Sequence, residues 1–355
     1  MGTTDPVTDA LEHQQQVAHG EAVTRSWVTA SLFRCLKRDV CFQYDGCVNP
    51  LDFLRETKHH AFVASKHVRW FVRDRYYDAQ GAYSKARGFT YVPSRYQRHF
   101  GALDEQSAPT SSTFPIDHLR FASTLPSSEG ERAPRRLYVL WTGNNDLTPN
   151  RASSVEVIKS NNPDVSFEFI TPANVSEYVV EGYPLHPAYE HLSSVHKSDY
   201  LRAYLMYHHG GAYLDIKPYN GRVSDFFDVL DAEPRIWAVG SREASGNSSP
   251  AFGGKLGKDQ RLHTSRILSQ ACFAFRPHTD FAGQWLAECE RRLDYFQDLL
   301  NQNPAVDPRG TSGGYPVPWF SLLGAVFSPL ALKYHERIRI SDSVQVTLGG
   351  FVSYR

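Results

Sequence analysis

The sequence predicts an α/β protein in which a mainly parallel sheet carries helices on both faces, preceded by a mostly helical N-terminal region. The strongest observation is that short apolar runs alternate with amphipathic segments after residue 132, as in a parallel sheet covered on both faces. Residues 1–131 show no such alternation. The chain is therefore expected to divide into an N-terminal region, 1–131, and an α/β domain, 132–355.

The elements of the second region follow one another in the order expected for strand, helix, strand. Predicted strands are RRLYVLWTG (135–143), VSFEFIT (165–171), GGAYLDIK (210–217), IWAVG (236–240) and ACFAF (271–275). Predicted helices are SSVEVIKSNNPD (153–164), PANVSEYVV (172–180), the segment 193–209 and the long segment 281–302.

Two stretches rich in Gly, Ser and Pro, 241–259 and 303–318, interrupt this pattern. Loops of this length inside a domain are commonly lids or binding loops, and plain surface disorder is the alternative interpretation. If 303–318 is a lid, deleting it should raise wasteful hydrolysis of a bound donor relative to transfer.

Charge excludes one class of function. The 38 Lys and Arg residues balance the 38 Asp and Glu residues, so no net field attracts nucleic acid or an anionic membrane. Residues 1–24 contain no signal-peptide apolar core, and no window approaches the ~18 apolar residues of a membrane span. A soluble or cytoplasmic protein is expected.

The five cysteines form no C-x-x-C pair and do not match zinc-ligand spacing. They are expected to be ordinary buried or half-buried thiols, as in a reducing compartment. They are Cys35, Cys41, Cys47, Cys272 and Cys289.

Asp215 and Lys217 follow directly where the predicted strand GGAYL ends. Ligands of open α/β sheets bind beyond the carboxyl ends of the strands, where a carboxylate can hold a cation or a ribose hydroxyl and a lysine can neutralise phosphate. The alternative interpretation is that Asp215 only begins a polar turn.

The helix before this strand carries Asp199 and Arg202, one turn apart, in an otherwise largely apolar segment. The pair is either a buried ion pair that orients the helix or a pair of ligand-binding side chains. His208 and His209 fall on the last turn, where capping of the helix C-terminus is favoured over metal binding.

The stretch SDYLRAYLMYHHGGAYLDIK resembles the sugar-binding DXD motif of a glycosyltransferase group. That group contains yeast-type α-1,6-mannosyltransferases, capsular polysaccharide synthesis enzymes and, more distantly, clostridial glucosylating toxins. LYVLWTG is similar to the group's opening strand and its tryptophan-containing turn. The resemblance covers about residues 135–240, and more loosely PVPWFSLLGAVFSPLALKY near the C-terminus.

The resemblance implies a GT-A-like fold that binds a nucleotide sugar, with a UDP-sugar as the expected donor. Trp141 and Thr142 would lie against the nucleotide base, and Trp319 would close over the diphosphate. The side chains implied for the donor sugar and diphosphate are Asp199, Arg202 and Tyr213, with Asp215 as the first acid of the motif.

Lys217 stands where the second acid of the motif is expected. In the group that acid commonly contacts a divalent metal, Mn²⁺ or Mg²⁺, which an ammonium would repel. Either Asp215 holds a metal with ligands from elsewhere, or Lys217 takes over neutralisation of the leaving group. The resemblance favours retained, weak metal dependence.

The expected function is transfer of a hexosyl or pentosyl group from a nucleotide sugar to a hydroxyl of a glycan, with retention of configuration, as in polysaccharide biosynthesis. Asp215 and Lys217 are the expected catalytic residues. Two alternatives remain: a binding protein that has lost turnover, and an effector that glycosylates a protein target.

Overall fold

The computed structural model describes residues 116–128, 130–243 and 254–347, together with 88–99 and parts of 65–86. The chain divides into two compact units, residues 1–67 and 68–355, and the architecture below belongs to the second. The predictions for the earliest part of the chain, including the three N-terminal cysteines, lie outside the described residues.

A six-stranded sheet with the order β2-β1-β3-β6-β5-β7 forms the centre of the second unit. Strand β6 pairs antiparallel with both of its neighbours, whereas the other pairings are parallel, so five strands run in one direction. The predicted mainly parallel sheet is confirmed. The strands are β1 Arg136–Leu140, β2 Ser166–Ile170, β3 Gly211–Leu214, β5 Ala238–Arg242, β6 Leu268–Phe275 and β7 Ile338–Ile340. A separate pair joins β4 Tyr219–Asn220 to β8 Gln345–Val346.

Helices cover both faces of this sheet, as predicted. They are α1 Pro149–Asn161, α2 Ser194–His208, α3 Ser224–Ala232, α4 Gly254–Leu262, α5 Asp280–Gln302 and α6 Gly324–Lys333. Helices α2, α5 and α6 pack into the larger hydrophobic core on one face, and α1 and α3 pack into the smaller core on the other. Within the described ranges, no helix is long and apolar enough to cross a bilayer.

Side-chain alternation explains why the apolar run at 136–140 forms a strand that is buried between the two hydrophobic cores. Tyr138 and Leu140 point into the larger core, whereas Leu137 and Val139 point into the smaller one. A strand presents successive side chains to opposite faces, so a continuous apolar run suits a sheet that is buried on both.

Two sequence predictions need correction. Segment 172–180 is no α-helix: it forms only a short 3-10 turn, Val175–Tyr178, because the Asn174 side chain bonds the backbone at Thr171 and Phe169 and fixes a turn. Segment 241–259 is not a continuous loop, since its last residues belong to α4, while 244–253 lie outside the described residues.

Some residues before position 132 contribute to the same core as the α/β elements. Tyr96, Ile116 and Leu119 are each at most 1% exposed and join the larger core. The Tyr96 hydroxyl also donates to buried Asp259 on α4 at 3.0 Å. The separate fold of region 1–131 stays a prediction.

Candidate functional site

One cleft of about 980 Å³ opens at the carboxyl ends of β1 and β3. All eight side chains that the sequence analysis singled out line it. They are Trp141, Thr142, Asp199, Arg202, Tyr213, Asp215, Lys217 and Trp319.

Sheet register explains why these residues meet. Strands β1 and β3 are parallel neighbours with Tyr138 opposite Tyr213, so the residues that follow both strands reach the same edge. Antiparallel β6 begins at this edge, and the Asp215 amide donates to the Ala271 carbonyl at 2.8 Å. Gln270 is thereby brought into the cleft.

Asp215 is held from both sides. One carboxylate oxygen accepts from the Tyr213 hydroxyl at 2.6 Å, and the other accepts from the Lys217 ammonium at 2.6 Å. Burial alone would raise the pKa of Asp215, but the cations Lys217 and Arg202, with the two hydrogen bonds, outweigh burial and lower it. Asp215 is therefore an anion at neutral pH.

Asp199, the second carboxyl group of the cleft, differs from Asp215 in its protonation. Its carboxylate approaches Arg202 to 3.1 Å, and both side chains are buried. Burial raises the pKa of Asp199 to about 7; Arg202 opposes the rise and the Asp215 charge adds to it. Among the described residues, the Asp199 carboxylate makes no other polar contact, so a ligand hydroxyl would find an acceptor or a donor there near neutral pH.

Arg202 connects α2 to the two strands at the floor of the cleft. It donates to the Gln270 carbonyl at 3.2 Å and to the Ser198 hydroxyl at 3.3 Å, and it lies 4.6 Å from the centre of the Tyr213 ring. Its Nε is buried without a hydrogen-bond partner. A buried guanidinium with an unused donor is suited to receive an anionic group.

Trp141 and Thr142 form the other end of the cleft. The Trp141 indole donates to the Asn145 carbonyl at 2.6 Å, which fixes its plane, and the Arg151 guanidinium lies 5.3 Å from its ring centre. The Thr142 hydroxyl donates to the Ser194 carbonyl at the start of α2. This end therefore presents a fixed aromatic face.

Segment 303–318 has no helix or strand, as predicted, but it is internally bonded. The Asp307 carboxylate accepts from the amides of Arg309, Thr311 and Ser312 at 2.8 to 2.9 Å. Four residues of this segment, Asp307, Pro308, Arg309 and Thr311, line the cleft with Trp319, whose surface is 45% exposed. The lid role of the segment stays a prediction.

Several polar side chains line the cleft without having been predicted, among them Glu243, Gln270 and Arg309. Gln270 had a local signal, because it is a polar residue within the apolar strand LSQACFAF. Glu243 also had one, because it directly follows strand β5, whereas Arg309 lies in a stretch rich in Gly, Ser and Pro.

His208 and His209 do not bring cationic charge to the end of α2. Burial lowers the pKa of both, that of His208 to about 4. His209 is the C-cap residue and its Nε2 bonds the Tyr178 carbonyl at 2.7 Å, whereas His208 packs between Tyr183 and Tyr204. The capping predicted for this last turn is therefore provided by His209, whereas His208 packs against tyrosine rings.

Glycosyltransferase domains with a DXD motif commonly bind a divalent metal, so the fit at Asp215 matters. Both oxygens of Asp215 are already bonded, and the ammonium of Lys217 occupies the position from which a second ligand would come. Within the described ranges, no three His, Cys, Asp or Glu side chains are arranged to hold a metal. The side chains as placed do not fit a divalent cation, and no step below is derived through one.

Residues 132–217 match the family model described as "Glycosyltransferase sugar-binding region containing DXD motif". A search of curated proteins returned no match to the chain. The matched segment begins just before β1 and ends at Lys217, and it contains seven of the eight predicted side chains, all except Trp319. These residues are therefore similar to a glycosyltransferase sugar-binding region, and they lie on a GT-A-like sheet, which supports a transferase.

Proposed function

We propose that the protein transfers a sugar from a nucleotide-sugar donor, first of all a UDP-sugar, to a hydroxyl group of a glycan acceptor with retention of configuration. The observation that supports this most is the order of groups along one cleft. A fixed indole lies at one end, and Arg202 and Lys217 lie at the floor beside two carboxylates.

The donor is expected to bind with its base against Trp141, since aromatic faces stack on π-systems. Its diphosphate would then lie towards Arg202 and Lys217, the cations at the junction of β3 and β6. Asp199 and Gln270 would face the sugar hydroxyls. This placement extends the donor across the strand ends, where ligands of open α/β sheets bind.

Departure of the nucleoside diphosphate develops negative charge on the leaving oxygen. We propose that the Lys217 ammonium and the Arg202 guanidinium stabilise this charge directly. Lys217 is paired with Asp215 at 2.6 Å. A bound diphosphate would therefore be a second anionic partner of the ammonium, in addition to Asp215.

The acceptor is expected to enter on the side of Glu243, which follows β5 and is separated from the β1 end that carries Trp141 by β3 and β6. Glu243 is only 6% exposed yet lines the cleft. A carboxylate there suits sugar hydroxyls, which can donate hydrogen bonds to it.

The test is release of UDP or GDP from a panel of UDP- and GDP-sugars, with and without a glycan acceptor and with EDTA or Mn²⁺. Wild type should release UDP from at least one donor, faster with acceptor, and proton NMR of the product should show the donor's anomeric configuration. Nucleotide binding without any release would instead assign the chain to binding proteins, and an inverted product would overturn retention.

A further inference from the structure

His196, in the first turn of α2, is fully buried beside the cleft but does not line it. Its Nδ1 lies 2.8 Å from the Tyr315 hydroxyl, and its Nε2 lies 3.3 Å from the Trp319 carbonyl. The imidazole also stacks on the Tyr315 ring at 5.6 Å with an interplanar angle of 14°. One side chain of α2 thus contacts both ends of segment 315–319.

The His196 Nδ1 also lies 3.2 Å from the Ser193 hydroxyl, and the Trp319 carbonyl decides which ring nitrogen carries the proton. The Trp319 carbonyl can only accept, so Nε2 carries the proton and Nδ1 accepts from the Tyr315 hydroxyl. That hydroxyl in turn accepts from the Ser193 amide at 3.2 Å. Burial lowers the pKa of His196 to about 4, which keeps the ring in this neutral form at pH 7.

A second connection fixes the same loop to the same helix end. The Val195 amide, near the start of α2, donates to the Pro308 carbonyl at 3.1 Å. Asp307 closes the turn that follows by accepting from three backbone amides. The loop from Asp307 to Trp319 is therefore anchored at its beginning through Pro308 and at its end through His196.

We propose that His196 is a positioning residue that holds the Tyr315–Trp319 turn against α2 and so places the Trp319 indole at the cleft. The functional half of this inference rests on the proposed donor binding, whereas the structural half does not. Trp319 is the only predicted cleft residue outside the matched sugar-binding region, and its neighbour Phe320 is also 40% exposed. The Trp319 indole also lies against the His196 imidazole, with ring centres 6.3 Å apart, so the histidine contacts both the backbone and the side chain of Trp319.

Limited trypsin digestion of the full chain tests the structural half without any substrate. The bond after Arg309, an exposed residue of this loop, reports how often the loop leaves α2. His196→Ala should raise cleavage there about tenfold because two hydrogen bonds and a ring contact are lost. His196→Gln can still donate to the Trp319 carbonyl and should stay within about twofold of wild type.

His335→Ala is the matched control. His335 is another partly buried histidine, and it bonds the Leu332 and Phe89 carbonyls at 3.0 Å, away from the cleft. It should leave cleavage after Arg309 unchanged. Wild-type cleavage in His196→Ala, or equally fast cleavage in His196→Gln and His196→Ala, would overturn the proposal.

The functional half is tested by donor KM in a double-mutant cycle. His196→Ala and Trp319→Ala should raise donor KM by similar factors, and the double variant should be no worse than Trp319→Ala, because the histidine acts through the tryptophan. If the rise in donor KM of the double variant equals the product of the rises in the two single variants, His196 does not act through Trp319. If wild type turns over no donor, the proposed function fails, while the digestion result still decides whether His196 anchors the loop.

Discussion

Two buried clusters of carboxylates and guanidinium groups lie on α2 and α5, and they differ in how completely their charges are satisfied. On α5, Glu288 accepts from Arg291 and from Arg292, each through Nε at 2.7 Å. Arg292 also donates to the Ser321 carbonyl at 2.7 Å, and His118 lies 3.4 Å from the carboxylate. Each oxygen of Glu288 has a charged donor.

The pKa values of the two acids diverge accordingly. Burial would raise the pKa of Glu288, but His118 and the two arginines outweigh it and lower the pKa to about 2. Burial raises the pKa of Asp199 to about 7, because its one guanidinium partner does not outweigh burial and the like charge of Asp215 adds to the rise. A buried carboxylate that the protein satisfies fully is structural, whereas one left short of partners at a cleft is available to a ligand.

Glu288→Gln should break the structural cluster and give the largest effect. It leaves two arginines without their anion, and we expect a loss of about 3–5 kcal/mol in the free energy of unfolding. Urea denaturation measures it, with Asp298→Asn, an exposed change on the same helix, as the control. Nucleotide release per folded molecule should not change; a catalytic loss in the folded fraction would contradict the comparison.

Asp215→Asn, in the cleft, should lower activity, in contrast to Glu288→Gln, which should lower stability. It removes the anion that fixes Lys217 and Tyr213, and we expect nucleotide release to fall by about 10²–10³-fold. Asp228→Asn, which changes a surface carboxylate paired with Arg135, is the matched control. Activity within a few-fold of wild type in Asp215→Asn would remove this residue from the proposed machinery.

Lys217→Ala tests whether the protein's own cations, rather than a metal ion, stabilise the leaving nucleoside diphosphate in the cleft. Loss of the ammonium should slow nucleotide release by about 10–100-fold, and EDTA should have little effect on wild type. Added Mn²⁺ should not restore the variant, because the side chains at Asp215 do not fit a metal. Strong inhibition of wild type by EDTA, reversed by Mn²⁺, would show that a metal is required.

Lowering the pH should change the free energy of unfolding through both the buried histidines and the buried carboxyl of Asp199. This effect is expected to be smaller than those of the substitutions above. Burial lowers the pKa of four histidines to about 4, so the unfolded chain binds more protons below pH 6.5 and stability falls as pH drops. These histidines are His118, His196, His208 and His263. Asp199 opposes this, since its raised pKa lets the folded state keep a proton between about pH 4 and pH 7.

From pH 7 to pH 5 we expect a net loss in the free energy of unfolding, because the histidines with lowered pKa outnumber Asp199. Asp199→Asn removes the opposing contribution, so the loss over the same interval should become larger, and urea titrations at the two pH values measure both. An equal or smaller loss in the variant would show that Asp199 does not have the raised pKa.

The sequence predicted the secondary structure best where the signal was local and repeated. The apolar strand at 136–140, the helix 194–208 with its Ser193 cap and the glycines at 210–211, both of which have positive φ, follow from propensity and burial pattern. It failed at 172–180, where a single asparagine side chain outweighed the helical pattern.

Some features of the candidate site are visible in the sequence, and others depend on how the strands pair. A strand that ends in Asp215, two residues before Lys217, is visible in the sequence because strand ends and charges are local features. That Trp141 and Asp215 share one edge depends on β1 pairing parallel with β3, and the antiparallel entry of β6 brings Gln270 beside them.

Tertiary structure alone decided the charge states and the anchoring of the C-terminal loop. The raised pKa of Asp199 comes from burial beside a second carboxylate, and the His196 bond to the Trp319 carbonyl joins residues 123 positions apart. Desolvation and long-range hydrogen bonds depend on which surfaces pack together, so no window of the sequence contains them. The amino-acid sequence by itself predicted the mainly parallel α/β class, five of the six strands of the sheet, all except β7, and the residues available for chemistry.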